Sequence, residues 1–426
     1  MSRNPSHSRD LHGAERLAVE AVLGVTHIAE SLHHTITRLP SITRLTRGLE
    51  PSDQNRTHGI TGMVYRNIRT MTNTVGNGIR FFLDRPGSII PGKDNVDPSP
   101  GREALISALN GVLGDHLSAT GNPLSVSMQF RGNGRPLRKE TILEMIRQSG
   151  GKIAIMVHGS CMNDLQWNRQ GHDHGASLAR DLGFTPLYVH YNTGLHISEN
   201  GKKLSHLLEK TIGKAPIPIT LFMVAHSMGG LVSRAACHYG KTSGHTWVNH
   251  LSKLVFLGTP HHGSPLEKCG NWVDKILESN PYSAPFSRLG KIRSCGITDL
   301  RYGNVREDDW KGCDRFKFGG DQRIPVPLPE GVACYAIAAS TRKKTKKFNT
   351  LFRNGLLGDG LVTTDSALGR HKNAEFNLLI PQTHQWVGQN MNHMDLLSHP
   401  KVYETIKKWL EHGTKQHSIP QRGTVS

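Results

Sequence analysis

The sequence predicts an α/β protein: a mostly parallel sheet with helices on both faces. Three observations carry that prediction. Short apolar runs at 153–157, 186–189, 219–224 and 254–257 are each separated by enough chain for a crossover helix, and strands alternating with helices make parallel sheets that are buried on both sides. The chain has 426 residues, about three times a common domain size, which leaves room for one large domain and an appendage. Apolar residues make up 36% and charged residues 20%, with 45 Gly and 22 Pro; this suits a loop-rich globular enzyme and excludes a coiled coil or a disordered chain.

Taken in order, Leu11, Ala14, Ala18, Val22, Val25, Ala29, Leu32 and Ile36 recur at helical spacing and predict a helix over 11–39, ended by Pro40. A second series, Ile60, Val64, Ile68, Met71, Val75, Ile79 and Phe82, predicts the return arm of a hairpin, although Gly62, Gly76 and Gly78 interrupt it. Pro, Gly and Asp crowd 85–100, the expected linker. Ser99 as N-cap and Pro100 at the first helical position start a helix that continues through Leu117. Alternation over 124–130 predicts a half-buried strand with Gly132-Asn133-Gly134 as its turn. After the four apolar runs, 332–339 and 376–380 read as two further strands and 402–410 as the last helix. The expected division is an N-terminal helical appendage and linker at 1–98, a catalytic domain at 99–412 and a polar tail at 413–426. Within the domain, the irregular stretch 264–329, with Trp272, Tyr282, Phe286, Tyr302 and Trp310, reads as a cap or lid insertion.

The charge balance, 52 Lys+Arg against 34 Asp+Glu for a formal +18, favours anionic partners. Nucleic acid is not among the expected ones, because no aromatic-basic sheet or zinc-finger spacing accompanies the charge. The run Arg342-Lys-Lys-Thr-Lys-Lys347 and the N-terminal hairpin instead suggest an anionic membrane surface, though the run equally suits a solvated loop and the hairpin equally suits packing on the catalytic domain or a dimerisation element. Six cysteines without a C-x-x-C pair indicate neither a disulfide scaffold nor a zinc ribbon. The polar N-terminus shows no signal peptide, and no run reaches the roughly 18 apolar residues of a membrane span. The expectation is a cytoplasmic protein with peripheral membrane association.

The chemistry concentrates at Ala225-His226-Ser227-Met228-Gly229, which follows an apolar strand and opens a helix. This is a nucleophile elbow: the sharp reversal tolerates only small residues two positions either side of the serine, and Ala225 stands where glycine is usual. Ser227 is the expected nucleophile and the Met228 N–H one oxyanion donor. The strand ending in His158-Gly159-Ser160 supplies a second donor, Ser160 N–H, with Cys161 as the fallback; Gly159 lets the backbone approach the substrate. Cys161 as a nucleophile is disfavoured for want of an elbow. The acid and base must follow the serine. Asp359, between glycines in Leu356-Leu-Gly-Asp-Gly-Leu-Val362, is the expected acid, with Asp365 as the alternative. His393, between the last strand and the last helix, is the expected base, ahead of His384 and His399. His158, Gly159, Cys161, His226, His261 and His262 are candidates for the substrate pocket. His172-Asp173-His174 reads as an exposed polar turn rather than a metal site, and no metal or cofactor is expected.

Together the His158-Gly159 loop, the elbow, the block Leu257-Gly-Thr-Pro-His-His-Gly-Ser264, the Gly-Asp-Gly-Leu-Val loop and Asn392-His393 resemble the serine esterases and lipases of the α/β-hydrolase superfamily, near the group with GPI inositol-deacylase-like domains. The resemblance covers about 99–412 and implies ester hydrolysis, with an acyl-ester lipid as the expected substrate. The same machinery would serve a thioesterase or amidase, and a catalytically silent scaffold on a membrane or inclusion is the reading from another class.

Overall fold

The structure, a computed structural model, describes residues 10, 12–20, 23, 100–215, 217–264, 293–315, 320–341 and 358–411. The chain divides into two compact units, Met1–Asp97 with Leu117–Ser125, and Pro98–His116 with Val126–Ser426. In the first, residues 12–20 are helical. Arg16 pairs with Glu20 one turn on at 3.3 Å, and the Asn122 amide donates to the Gly13 carbonyl at 3.0 Å. The remainder of the predicted hairpin, the linker over 85–99, the basic run 342–347 and the tail lie outside the described residues.

The second unit is an eight-stranded sheet in the order β2-β1-β4-β3-β5-β6-β7-β8. Its strands are β1 (Gln129–Gly132), β2 (Arg135–Pro136), β3 (Lys152–Val157), β4 (Thr185–His190), β5 (Thr220–His226), β6 (Leu251–Leu257), β7 (Ala333–Ser340) and β8 (Gln385–Gln389). From β4 to β8 every pairing is parallel; β1 runs antiparallel to β4 and to β2. The helices are α1 (Pro100–Ala119), α2 (Lys139–Gln148), α3 (His174–Leu182), α4 (Ile197–Leu208), α5 (Met228–Thr242), α6 (Cys295–Asp299), α7 (Thr364–Ala367) and α8 (Pro400–Glu411).

Strand alternation divides the core between the two faces. Ile153, Ile155 and Val157 of β3 join Leu221, Met223 and Ala225 of β5 in a layer with Ile142 and Ile146 of α2, Leu204 of α4 and Leu231 and Ala235 of α5. The intervening Ala154, Met156, Phe222 and Val224 face the other way, onto Leu178 of α3 and Val402, Ile406 and Leu410 of α8. A one-residue slip of either strand would exchange the two layers, so both faces fix the register.

Two strand expectations are corrected. Of the alternating 124–130 segment only its end, from Gln129, is strand, because β4 offers partners to Gln129, Phe130 and Arg131 alone. The Asn133-Gly134 turn has φ of 50° and 75°, the two positive angles that a type I′ hairpin needs. The run 376–380 is not a strand: Leu378 and Ile380 plug the first core layer while Leu379 stands 87% exposed. The edge strand is instead Gln385–Gln389, too polar to stand out as an apolar run. Of the 264–329 stretch, 265–292 and 316–319 lie outside the described residues. Its described parts send Leu300, Val305 and Val326 into the core and stack Trp310 on His196 at 3.6 Å.

Candidate active site

Parallel strands end along one edge, and that edge collects the predicted residues. Register aligns Val157 of β3 with Ala225 of β5, His226 of β5 with Leu257 of β6, and Leu257 with Ile337 of β7. The His158 loop, Ser227, Gly258, the Asp359 loop and His393 therefore all lie beyond the carboxyl ends of neighbouring strands.

Ser227 sits between β5 and α5 with φ 55° and ψ −126°, a conformation that costs a non-glycine residue about 1–3 kcal/mol. The turn survives because it is pinned. Ser227 N–H donates to Leu257 O at 2.8 Å, and Gly230 N–H to Ser227 O at 3.0 Å. A Cβ on Gly229 would lie 2.4 Å from Val157 O, and one on Gly230 2.0 Å from Thr259 Oγ1, so the helix start needs both glycines. Ala225 is an ordinary buried residue of β5. The Ser227 hydroxyl is buried and makes no hydrogen bond among the described residues.

His393 Nδ1 lies 2.6 Å from Asp359 Oδ2, both side chains buried. The other carboxylate oxygen accepts the N–H groups of Leu361 (3.0 Å) and Val362 (2.8 Å), and His393 N–H donates to Asp359 O at 3.2 Å. The loop thus fixes the acid, and the acid fixes the ring with its proton on Nδ1 and Nε2 as the acceptor. Asn392 caps the turn His393–Leu397 through Met394 and Asp395 N–H. The base is held beside the elbow by the residue before the serine: His226 Nε2 approaches His393 O at 3.3 Å, and the two rings are 4.7 Å apart. Gly258, with φ 59°, closes the other side, since a Cβ there would come 2.9 Å from His393 Cε1.

The loop after β3 packs directly on the elbow. A Cβ on Gly159 would lie 3.0 Å from Ser227 Cβ and 3.1 Å from His226 Nδ1, so any side chain there would have to push the elbow aside. Cys161 N–H is taken by Thr193 Oγ1 at 3.1 Å, which leaves Ser160 N–H as the loop's candidate donor. Met228 N–H, the first of α5, has no intrahelical acceptor. Met228, Ser160 and Ser227 are all buried.

Two buried histidines beside the site, His158 and His226, are neutral at neutral pH. Burial pushes His158 down to about 3, and burial followed by the charge of His393 holds His226 well below the usual range. Burial also raises the Cys161 thiol to about 11; it packs among Ala108, Val112 and Ile297 and is not a thiolate at neutral pH. His261 and His262 are not brought to Ser227. They line a separate cavity of about 270 Å³ with Arg234 and Arg323. Nor do the alternatives meet the site. Asp365 is exposed on α7 beside Arg370; His384 stacks on Tyr335 at 4.1 Å; His399 precedes α8 and accepts Lys401 N–H. His174 is fully buried rather than exposed: it bonds to His172 at 2.8 Å and to Leu396 O at 2.9 Å, while Asp173 caps α3. Among the described residues no three His, Cys, Asp or Glu side chains gather as metal ligands. Two neighbours of the site, Gly258 and His226 Nε2, were not singled out for these contacts, which bridge up to 167 residues of sequence and leave no local signature.

The strand order 4-3-5-6-7-8, with a strained serine after β5, a loop carboxylate after β7 and a histidine after β8, decides the architecture. The fold is that of the α/β-hydrolases. Residues 148–322 of this α/β-hydrolase domain match the family model of the PGAP1-like alpha/beta domain. No curated protein matches the chain. Among solved structures, the mature lipase of Bacillus licheniformis is 16% identical over 61% of this chain and 92% of its own, with a TM-score of 0.39. A metagenomic carboxyl esterase is 16% identical over 79% and 98%, at 0.38. A phospholipase of Legionella pneumophila is 15% identical over 51% and 43%, at 0.31.

Proposed function

We propose that the chain is a serine hydrolase that cleaves carboxylic esters through an acyl-enzyme on Ser227. The observation that carries this reading is the strained Ser227 turn whose preceding residue, His226, packs its ring 4.7 Å from that of His393, a histidine held by a buried carboxylate at 2.6 Å. His393 Nε2 takes the hydroxyl proton as Ser227 Oγ attacks the ester carbonyl; Asp359 holds the tautomer and offsets the imidazolium charge. The N–H groups of Met228 and Ser160 receive the oxyanion. Collapse expels the alcohol, which takes the proton from His393, and water repeats the sequence to release the acid. Neutral His158 and His226 suit such a site, because cations there would draw the proton-accepting nitrogen of His393 towards a lower basicity.

A lipid ester at an anionic surface is the substrate this reading favours, in keeping with the formal charge of +18. Among the described residues no helix is long and apolar enough to cross a membrane. Hydrolysis of p-nitrophenyl esters from acetate to palmitate, with and without anionic vesicles, tests the proposal beside Ser227→Ala. Activity that vanishes in the variant supports it; an equally active Ser227→Ala, or a folded wild type inert to every ester, refutes it.

A further inference from the structure

The loop after β3 must present one N–H to the substrate, yet a four-residue turn rich in backbone polar groups has other ways to lie. His158 and Cys161 bound that turn, and each is held by a hydroxyl from the same short segment after β4. Tyr191 Oη donates to His158 O at 2.7 Å, and its ring stacks on the His158 imidazole at 4.4 Å and 21°. Thr193 Oγ1 accepts Cys161 N–H at 3.1 Å. The peptide groups at the two ends are therefore fixed, and the Ser160 N–H between them is not used by either. We propose that Tyr191 and Thr193 are positioning residues that clasp the oxyanion loop and aim Ser160 N–H at the substrate.

The chemistry of the two hydroxyls fits this role. Burial raises the Tyr191 phenol far above neutrality, so it stays a donor. A donor on His158 O turns that carbonyl away from the place where negative charge would develop, and an acceptor on Cys161 N–H stops it competing with Ser160 for the oxyanion. The segment that carries the clasp is itself anchored: Asn192 Nδ2 donates to Gly114 O at 2.8 Å, its Oδ1 accepts Gly194 N–H at 3.0 Å, and Asn200 Nδ2 donates to Asn192 O at 2.9 Å. Cys161, at φ 60°, is held in an unfavourable backbone conformation, and the Thr193 bond is one of the contacts that keeps it there.

The inference rests on the hydrolase reading, and two readouts separate the two. Tyr191→Phe keeps the stacked ring and loses only the hydroxyl; Thr193→Val loses the acceptor, and Thr193→Ser restores it. With the full chain, the clasp predicts a fall in kcat of about tenfold for Tyr191→Phe and Thr193→Val, smaller than the loss of a direct oxyanion donor. KM stays within about twofold, affinity for a trifluoromethyl ketone falls in parallel with kcat, and Thr193→Ser recovers the wild-type rate. Hydrogen–deuterium exchange over 158–162, read on the same samples, rises in Tyr191→Phe and Thr193→Val. Wild-type kcat with unchanged exchange in both variants overturns the clasp. Slower turnover in which KM and melting temperature move while inhibitor affinity does not would also overturn it, as a purely structural effect. A wild type inert to every ester refutes the hydrolase reading instead, and the exchange measurement still decides whether the hydroxyls hold the loop.

Discussion

Asp359→Asn separates geometry from chemistry at this site. Oδ1 accepts two backbone N–H groups, from Leu361 at 3.0 Å and Val362 at 2.8 Å, while Oδ2 faces His393 Nδ1 at 2.6 Å. An asparagine that kept the first two bonds would turn its NH2 towards His393. Reversing the amide would set its NH2 against two backbone donors, losing both bonds at about 1 kcal/mol or more each. The first orientation wins, and in it the amide donates to Nδ1. His393 must then carry its proton on Nε2, where it blocks removal of the Ser227 proton. The expected result is a folded protein whose kcat falls about a thousand- to ten-thousand-fold with KM within a few-fold, a barrier increase of roughly 4–5 kcal/mol. Steady-state kinetics on a p-nitrophenyl ester, with circular dichroism to establish folding, measure it. A folded Asp359→Asn within tenfold of the wild-type kcat would refute the assigned tautomer.

Gly258→Ala should reduce both stability and turnover, because the new Cβ would meet His393 Cε1 at 2.9 Å and Leu396 Cδ1 at 2.8 Å at a position with φ 59°. A loss of about 1–3 kcal/mol is expected from strain and overpacking, read as a lower urea midpoint; a wild-type midpoint and rate would contradict it. Stability should also fall as the pH drops below about 6.5, the ordinary value for an unfolded histidine. Burial holds His158 and His174 down to about 3 and about 4 in the folded protein, so below 6.5 the unfolded chain binds protons that the folded one cannot. Each contributes a loss of about 1.4 kcal/mol per pH unit between roughly 6 and 4.5, a range above most carboxylate titrations. Urea midpoints at pH 7 and pH 5 measure the effect, and equal midpoints would contradict it. Gly159→Val should abolish turnover while leaving the strands intact, since a side chain there starts 3.0 Å from Ser227 Cβ; retained activity would show that the loop does not lie on the elbow.

Much of the architecture was legible because the central strands are uniformly apolar and the helices between them are amphipathic. Runs such as Ile153–Val157 are buried on both faces, so their signal does not depend on alternation. The edges were less readable. The segment 376–380 is as apolar as a strand, but Leu378 and Ile380 fill the core from a loop and Leu379 faces solvent at φ 50°; an apolar run specifies burial, not backbone pairing. The real edge strand, Gln385–Gln389, has one neighbour and a polar composition. Ser227 was legible because an elbow is local, with its steric demands written into adjacent residues. Asp359 and His393 were readable by chain order and glycine context, and the structure brings them together. His261 and His262 lie within the block after β6, but His261 meets Arg234 at 3.4 Å and the His262 ring packs 4.9 Å from His371. Tyr191, Thr193 and Gly258 act across long sequence separations, through single hydroxyls or the lack of a Cβ, and no local pattern marks them.

The central claim is that Ser227 carries the acyl group. Reaction of the full chain with a fluorophosphonate, followed by intact-mass measurement and peptide mapping, tests it most directly. The account predicts one adduct per chain, located on Ser227 and lost in Ser227→Ala. A folded protein that takes up no probe, or an adduct at another residue such as Cys161 with Ser227 unmodified, would contradict it.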